Sequence, residues 1–123
     1  MTMLINLSNH PSQNWQKEQT ESAIQQYGSI EDMSFPQIAP EENTEGVQTL
    51  AKEYAATICE RQEAKGGITV HLMGEMTFVV ALVGLLQAAG IEVVCSTTER
   101  LVLEEINGKK TMQFRFVRFR AYF

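Results

Sequence analysis

A chain of 123 residues with 44% hydrophobic content has the length and apolar mass for one domain spanning residues 1–123, with no room for a second. Its net charge of −5 argues against a protein that coats a long nucleic acid, because such binding neutralises many phosphates with lysine and arginine. The longest apolar run, residues 76–89, falls short of the ~20 residues of a membrane span, and no basic segment precedes a greasy one at the start, so a cytoplasmic protein is expected.

In chain order, "MLINL" (Met3–Leu7) is a run of strand length that ends at "SNHPS", where Pro11 cannot continue a ladder. Ser12 is placed to cap a helix from about Gln13 to Tyr27, with Gly28 as its stop. "SIEDMSF" reads as a second strand, followed by a loop bracketed by Pro36 and Pro40. Val47, Leu50, Ala51, Tyr54, Ala55 and Ile58 recur at helical spacing and predict a second helix from about Glu45 to Ala64. "ITVHLM" (Ile68–Met73) is the third strand, and Gly74 turns the chain into a helix apolar almost all round, ending near Gly90. "IEVVCS" (Ile91–Ser96) is the fourth strand, and "STTER" is read as a polar loop leaving it. "LVLEEI" and "KKTMQFRFVRF" then flank Asn107-Gly108, the dipeptide of a tight antiparallel hairpin.

Strands alternating with helices predict an α/β, Rossmann-like fold: a mostly parallel sheet with flanking helices and a C-terminal antiparallel hairpin. Ligands of such sheets lie beyond the carboxyl ends of the strands, where successive crossovers go to opposite faces. With the first and third strands as central neighbours, "SNHP", "MGEMT" and "STTER" frame that place.

Each of these loops has a functional and a purely structural reading. Gly74 lets backbone approach a ligand, and helix-start amides suit a phosphate, although one glycine is also an ordinary turn. Glu75 either complements the dipole of its own helix or acts as a ligand contact or general base. His10 either shuttles a proton or, with Asn9, organises the turn before Pro11, whereas His71, inside a strand, reads as a hydrogen-bonded core residue. Ser96, Thr97 and Thr98 offer hydroxyls and Arg100 a planar fork for phosphate. Cys95 and Arg100 are one residue too close for a cysteine-phosphatase loop. In "FRFVRFR", Phe114 and Phe116 share parity with Arg118 and Arg120, which calls for a bulge near Val117. Arg118 then points either into solvent or toward the ligand crevice or a second copy. Cys59 and Cys95, with two histidines, make no metal motif, and neither the dinucleotide nor the P-loop glycine pattern is present.

"MLINLSNHP", "HLMGEMTFVVALVGLLQAAGIEVVCSTTER" and "FRFVRFR" resemble a small family of prokaryotic proteins associated with type III CRISPR loci, similar to the compact ring nucleases related to CARF domains. The resemblance spans nearly the whole chain. It implies a homodimer that binds a cyclic oligoadenylate, the four-nucleotide ring first among them, and opens it without a metal to a 2′,3′-cyclic phosphate. It further implies that Ser8, Asn9 and His10 contact ribose and move protons, that the backbone of Gly74, Glu75, Met76 and Thr77 cradles phosphate, and that Thr97, Thr98 and Arg100 brace the scissile phosphate. A sensor or sponge that holds the ring uncut would use the same loops.

Overall fold

The computed structural model describes residues 2–104 and 108–123. β1 (Met3–Ser8) and β3 (Ile68–Met73) lie side by side at the middle of a five-stranded sheet and are buried along almost their whole length. That is the reason both read as unbroken apolar runs: their two faces are covered by different helices. α1 (Lys17–Tyr27) carries the chain from β1 to β2 (Ile30–Ser34), and α2 (Thr44–Lys65) returns it from β2 to β3. α3 (Met76–Ala88) leads from β3 to β4 (Glu92–Glu104), and β5 (Lys110–Ala121) closes the chain. The order is β2-β1-β3-β4-β5, with β1 parallel to β2 and β3, β3 parallel to β4, and β5 antiparallel to β4. The expected Rossmann-like α/β architecture is therefore the one observed.

Two cores separate the layers. Ile5, Leu7, Val70, Leu72 and Val93 face α2 and α3, where Phe78, Leu82 and Leu86 fill the space above them. Leu4, Val94, Phe116 and Phe119 face α1 through Ala23, with Trp15 and Tyr27 alongside. The chain moves outward from β1 to β2, then crosses back to β3 on the opposite face, so the switch point lies between the carboxyl ends of β1 and β3. No described helix is long and apolar enough to cross a membrane. α3 is not covered all round: Met76 is 79% exposed and Val80 72%.

Two expectations are corrected. Ser12 does not cap a helix beginning at Gln13: residues Ser12–Asn14 form a single 3-10 turn, Trp15 and Gln16 are extended, and α1 starts only at Lys17. The Ser12 hydroxyl donates instead to Asp32 at 2.7 Å. α2 is capped by Asn43, whose side chain accepts from the Gly46 amide at 2.8 Å. "STTER" is not a loop, because β4 runs straight through it. Its ladder with β5 continues to Glu104 opposite Lys110, and β-branched threonines suit an extended strand as well as they suit a loop. Asn107 of the expected hairpin turn lies outside the described residues.

The bulge falls where the arginine–phenylalanine parity required it. Thr97 pairs with Arg118, Thr98 pairs with Phe116, and Val117 is the extra residue. This brings Phe116 and Phe119 onto the α1 face, both buried, and leaves Val117 exposed. Arg118, adjacent to Phe119, projects on the opposite face and is exposed, with its Nε 3.4 Å from the Phe119 carbonyl.

Gly74 is fixed by a neighbour, Phe35. A Cβ built there would lie 2.3 Å from Cζ of Phe35, whose ring in turn stands edge-on to Phe78. Gly74→Ala is expected to cost about 1–3 kcal/mol, from overpacking against Phe35 and from the positive φ of 159°, and measurably less in a Phe35→Ala background, where only the backbone strain remains. Urea unfolding of the four proteins of that cycle measures it; equal costs in both backgrounds would contradict the contact.

Candidate functional site

The carboxyl ends of β1 and β2 are joined by a polar network that the two strands bring into register, Asn6 opposite Asp32. Asn6 Nδ2 donates to Asp32 Oδ1 at 2.8 Å and to the His10 carbonyl at 2.9 Å. Asp32 also accepts from the Ser12 amide and hydroxyl. Partial burial pushes the Asp32 carboxyl up, but the donors from Ser12 and Asn6 outweigh it and hold the group below the usual carboxylate range. Ser8 Oγ donates to Asn6 Oδ1 at 2.8 Å and accepts from the His10 amide, so it ties the "SNHP" loop to the strand instead of presenting a free hydroxyl.

On the other side of Asn6 stands His71, its register partner in β3. His71 Nδ1 is 2.9 Å from Asn6 Oδ1. Both Asn6 amide hydrogens are used, on Asp32 and on the His10 carbonyl, which fixes Oδ1 as the atom facing His71. An amide oxygen only accepts, so Nδ1 carries the proton and Nε2 is left as a bare lone pair. Nε2 is buried with no hydrogen-bond partner among the described residues, in a residue 2% exposed. Burial, and secondarily the neighbouring His10, lowers the imidazole pKa to about 4. Trp15 and Phe119 both stand edge-on to the ring, with centroids 5.2 and 5.6 Å away. The Trp15 indole nitrogen donates to the His10 carbonyl at 3.1 Å.

Above His71 a groove of about 390 Å³ opens on the α1 face. Trp15, Phe114 and Phe116 supply aromatic walls, Ser96 and Thr98 hydroxyls, and His10 an exposed imidazole at the rim. Gln16 closes the outer edge of β5 at this point: its side-chain amide donates to the Phe114 carbonyl at 2.6 Å and accepts from the Phe116 amide at 2.8 Å, standing in for a sixth strand. Phe114 remains 57% exposed. Arg100 is the register partner of Phe114 and shares its face of the ribbon, two residues beyond Thr98. Among the described residues its guanidinium has the Met112 thioether as partner, a weak acceptor that leaves the charge free for an anion.

The remaining expected residues are dispersed. Thr97 faces away from the groove and donates to the Arg118 carbonyl, while Arg118 lies on the far face. Asn9 and Glu75 border a separate depression beneath the Pro36–Pro40 segment. Met76 and Thr77 line another between α2 and α3. Glu75 is the cap of α3: its carboxylate accepts from the Thr77 hydroxyl and from the Thr77 and Phe78 amides. Those bonds, the Thr77 hydroxyl first, hold its carboxyl below the usual range. The amides of the "MGEMT" turn thus already hold an anion of their own, and a carboxylate so committed is a poor proton acceptor. The structure brings together Ser8, His10, Ser96 and Thr98, with Arg100 near them, and adds Asn6, Trp15 and Asp32, which the sequence reading gave no functional role, and His71, which it read as a core residue. The signal for the missed group was a polar residue set among apolar ones in each of two buried strands, Asn6 in "MLINL" and His71 in "ITVHLM". A buried polar group needs a partner, and each is the other's.

Among the described residues no three His, Cys, Asp or Glu side chains gather as metal ligands do, and Cys59 and Cys95 are free thiols. Because His71 titrates near 6.5 when unfolded and near 4 when folded, the native state favours its neutral form. Its contribution to stability is complete above about pH 6.5 and is lost as pH falls toward 4, by about 3 kcal/mol. Chemical denaturation at a series of pH values is expected to show this slope in the native chain and not in His71→Gln; identical slopes would contradict the burial of a neutral imidazole.

No curated protein and no solved structure matches the chain. Residues 2–120 match the model of the Uncharacterized protein MJ1673 family. A match over nearly the full length places the chain in that family, so it belongs to the Uncharacterized protein MJ1673 family.

Proposed function

We propose that the chain binds a cyclic oligoadenylate, cyclic tetra-adenylate first among them, in the α1-face groove and opens the ring without a metal, as a cytoplasmic ring nuclease of type III CRISPR signalling. The observation that carries the reading is the groove itself, which combines aromatic walls, Phe114 exposed among them, with hydroxyls at the carboxyl edge of a doubly wound sheet, and has the weakly engaged Arg100 on the same face of the ribbon beside it. Aromatic faces accept a nucleobase by stacking, at about 1–3 kcal/mol per base. Hydroxyls suit ribose, and Arg100 suits a phosphodiester. Opening a ring by its own 2′-hydroxyl needs alignment and charge stabilisation more than a new nucleophile, and such a groove offers both. In this reading His10 protonates the leaving oxygen, Thr98 and Ser96 hold ribose, and Arg100 neutralises phosphate.

A groove of about 390 Å³ has the capacity of roughly one nucleotide, so a four-membered ring requires a second. A two-fold homodimer supplies it. Val102, Met112 and Phe114, all exposed on the same face of the β4–β5 ribbon, give such a dimer an apolar surface. A sensor or sponge is favoured by one observation: the Glu75 carboxylate is committed to its helix.

The test is incubation of the protein with cyclic tetra-adenylate, with and without EDTA, following binding and product together. Cleavage resistant to EDTA is expected. His10→Ala should slow it about 100-fold while binding stays within about threefold, and Arg100→Ala should weaken binding about tenfold. Binding without cleavage would make the chain a sensor or sponge, and absence of binding would end the assignment.

A further inference from the structure

We infer that His71 is the proton acceptor of the groove: its bare Nε2 takes the hydrogen bond of a ligand hydroxyl and, in cleavage, the proton of the attacking ribose 2′-hydroxyl. The inference rests on the nucleotide reading of the groove given above.

Three observations lead to it. The first is cost. An imidazole nitrogen buried without a partner forfeits its hydration, and native interiors carry few such atoms without a reason. The second is the way the ring is held. Asp32 orients the Asn6 amide, Asn6 holds Nδ1–H of His71, and the tautomer that results puts the lone pair on Nε2. A histidine that served packing alone would need no such chain of donors, whereas a proton acceptor needs its tautomer and ring angle fixed. The third is position. Nδ1 is tied toward β1, so Nε2 is turned away from it, in a residue that forms part of the groove between Trp15, Ser96 and Thr98.

In the step itself the 2′-oxygen forms a bond to the adjacent phosphorus as its proton moves to His71 Nε2. The bond from phosphorus to the 5′-oxygen breaks, and that oxygen takes a proton from His10 or from water. The proton on His71 passes to solvent as the product leaves, so the ring opens to an isomer bearing a 2′,3′-cyclic phosphate and a 5′-hydroxyl, with no atom gained or lost. The negative phosphodiester beside the imidazole strengthens its hold on the proton during the step. Because Nε2 is sealed from solvent, the ligand has to displace part of the Trp15 cover, and Trp15, the only tryptophan in the chain, reports that movement.

The experiment is long-range proton–nitrogen NMR of the histidine side chains in the uniformly ¹⁵N-labelled protein at pH 7, before and after saturation with cyclic tetra-adenylate, with Trp15 fluorescence recording binding. The free protein should show His71 protonated at Nδ1 and bare at Nε2, and the nucleotide should shift the Nε2 resonance upfield as it accepts a hydrogen bond. His71→Gln should bind within about threefold of the native chain and cleave at least about 100-fold more slowly. An Nε2–H tautomer in the free protein, an Nε2 resonance unmoved by bound nucleotide, or full cleavage by a folded His71→Gln would each overturn the inference and leave the nucleotide reading intact. Failure of the native chain to bind the nucleotide would overturn both. If His71→Gln does not fold, the spectra of the native chain decide.

Discussion

The hydrogen bond between Asn6 and His71 is the constraint on which the rest of the site depends. It joins the two central strands through side chains at a position where both strands are otherwise apolar and closed to water. Two polar groups in that environment are costly apart and tolerable together. Once they are paired, the amide of Asn6 has only one way to point, and its nitrogen is delivered to Asp32 and to the carbonyl of His10. The "SNHP" loop, the extended backbone at Trp15 and the late start of α1 follow from that network, because Ser12 is drawn to Asp32 instead of to a helix amide.

The second half of the site comes from the far end of the chain. β4 and β5 outrun the sheet and continue as a two-stranded ribbon, which by itself has little to hold it. One extra residue, Val117, rotates the ribbon so that its phenylalanines face the α1 side. The Gln16 amide then fastens the free edge of β5 to the segment that carries Trp15. A residue from the first turn of the chain and a bulge near its end therefore build opposite walls of one groove, with the Asn6–His71 pair as its floor. The opposite rim of the sheet is organised differently. There Glu75 satisfies the start of α3 internally and Phe35 fills the space over Gly74, so that rim is closed by the protein's own groups.

The fold was legible because its signals were local. The apolar runs of β1 and β3 and the helical spacing of Val47, Ala51, Ala55 and Ile58 are decided within one element and survive unchanged in the structure. The parity conflict in "FRFVRFR" was legible for the same reason, since only a bulge reconciles it. "STTER" was misread because its polarity is local but its conformation is set by a partner strand about 20 residues later. His71 was read as a hydrogen-bonded core residue, which is correct as far as Nδ1. What made it a site residue, the bare Nε2, appears only when the register of β1 against β3 is known and the bonds of Asn6 are counted. Glu75 stood between two readings in the sequence, and three short contacts with its own helix turn decide for the cap.

The central claim is that ligand is met on the α1 face, at the Asn6–His71 floor, and not in the larger depression between α2 and α3. Backbone amide chemical-shift mapping of the ¹⁵N-labelled protein during titration with cyclic tetra-adenylate tests it most directly. The account predicts that the largest changes fall at His10, Trp15, Ser96, Thr98 and Phe114. Changes concentrated at Val47, Met76, Thr77 and Val80, with the α1 face undisturbed, would contradict it.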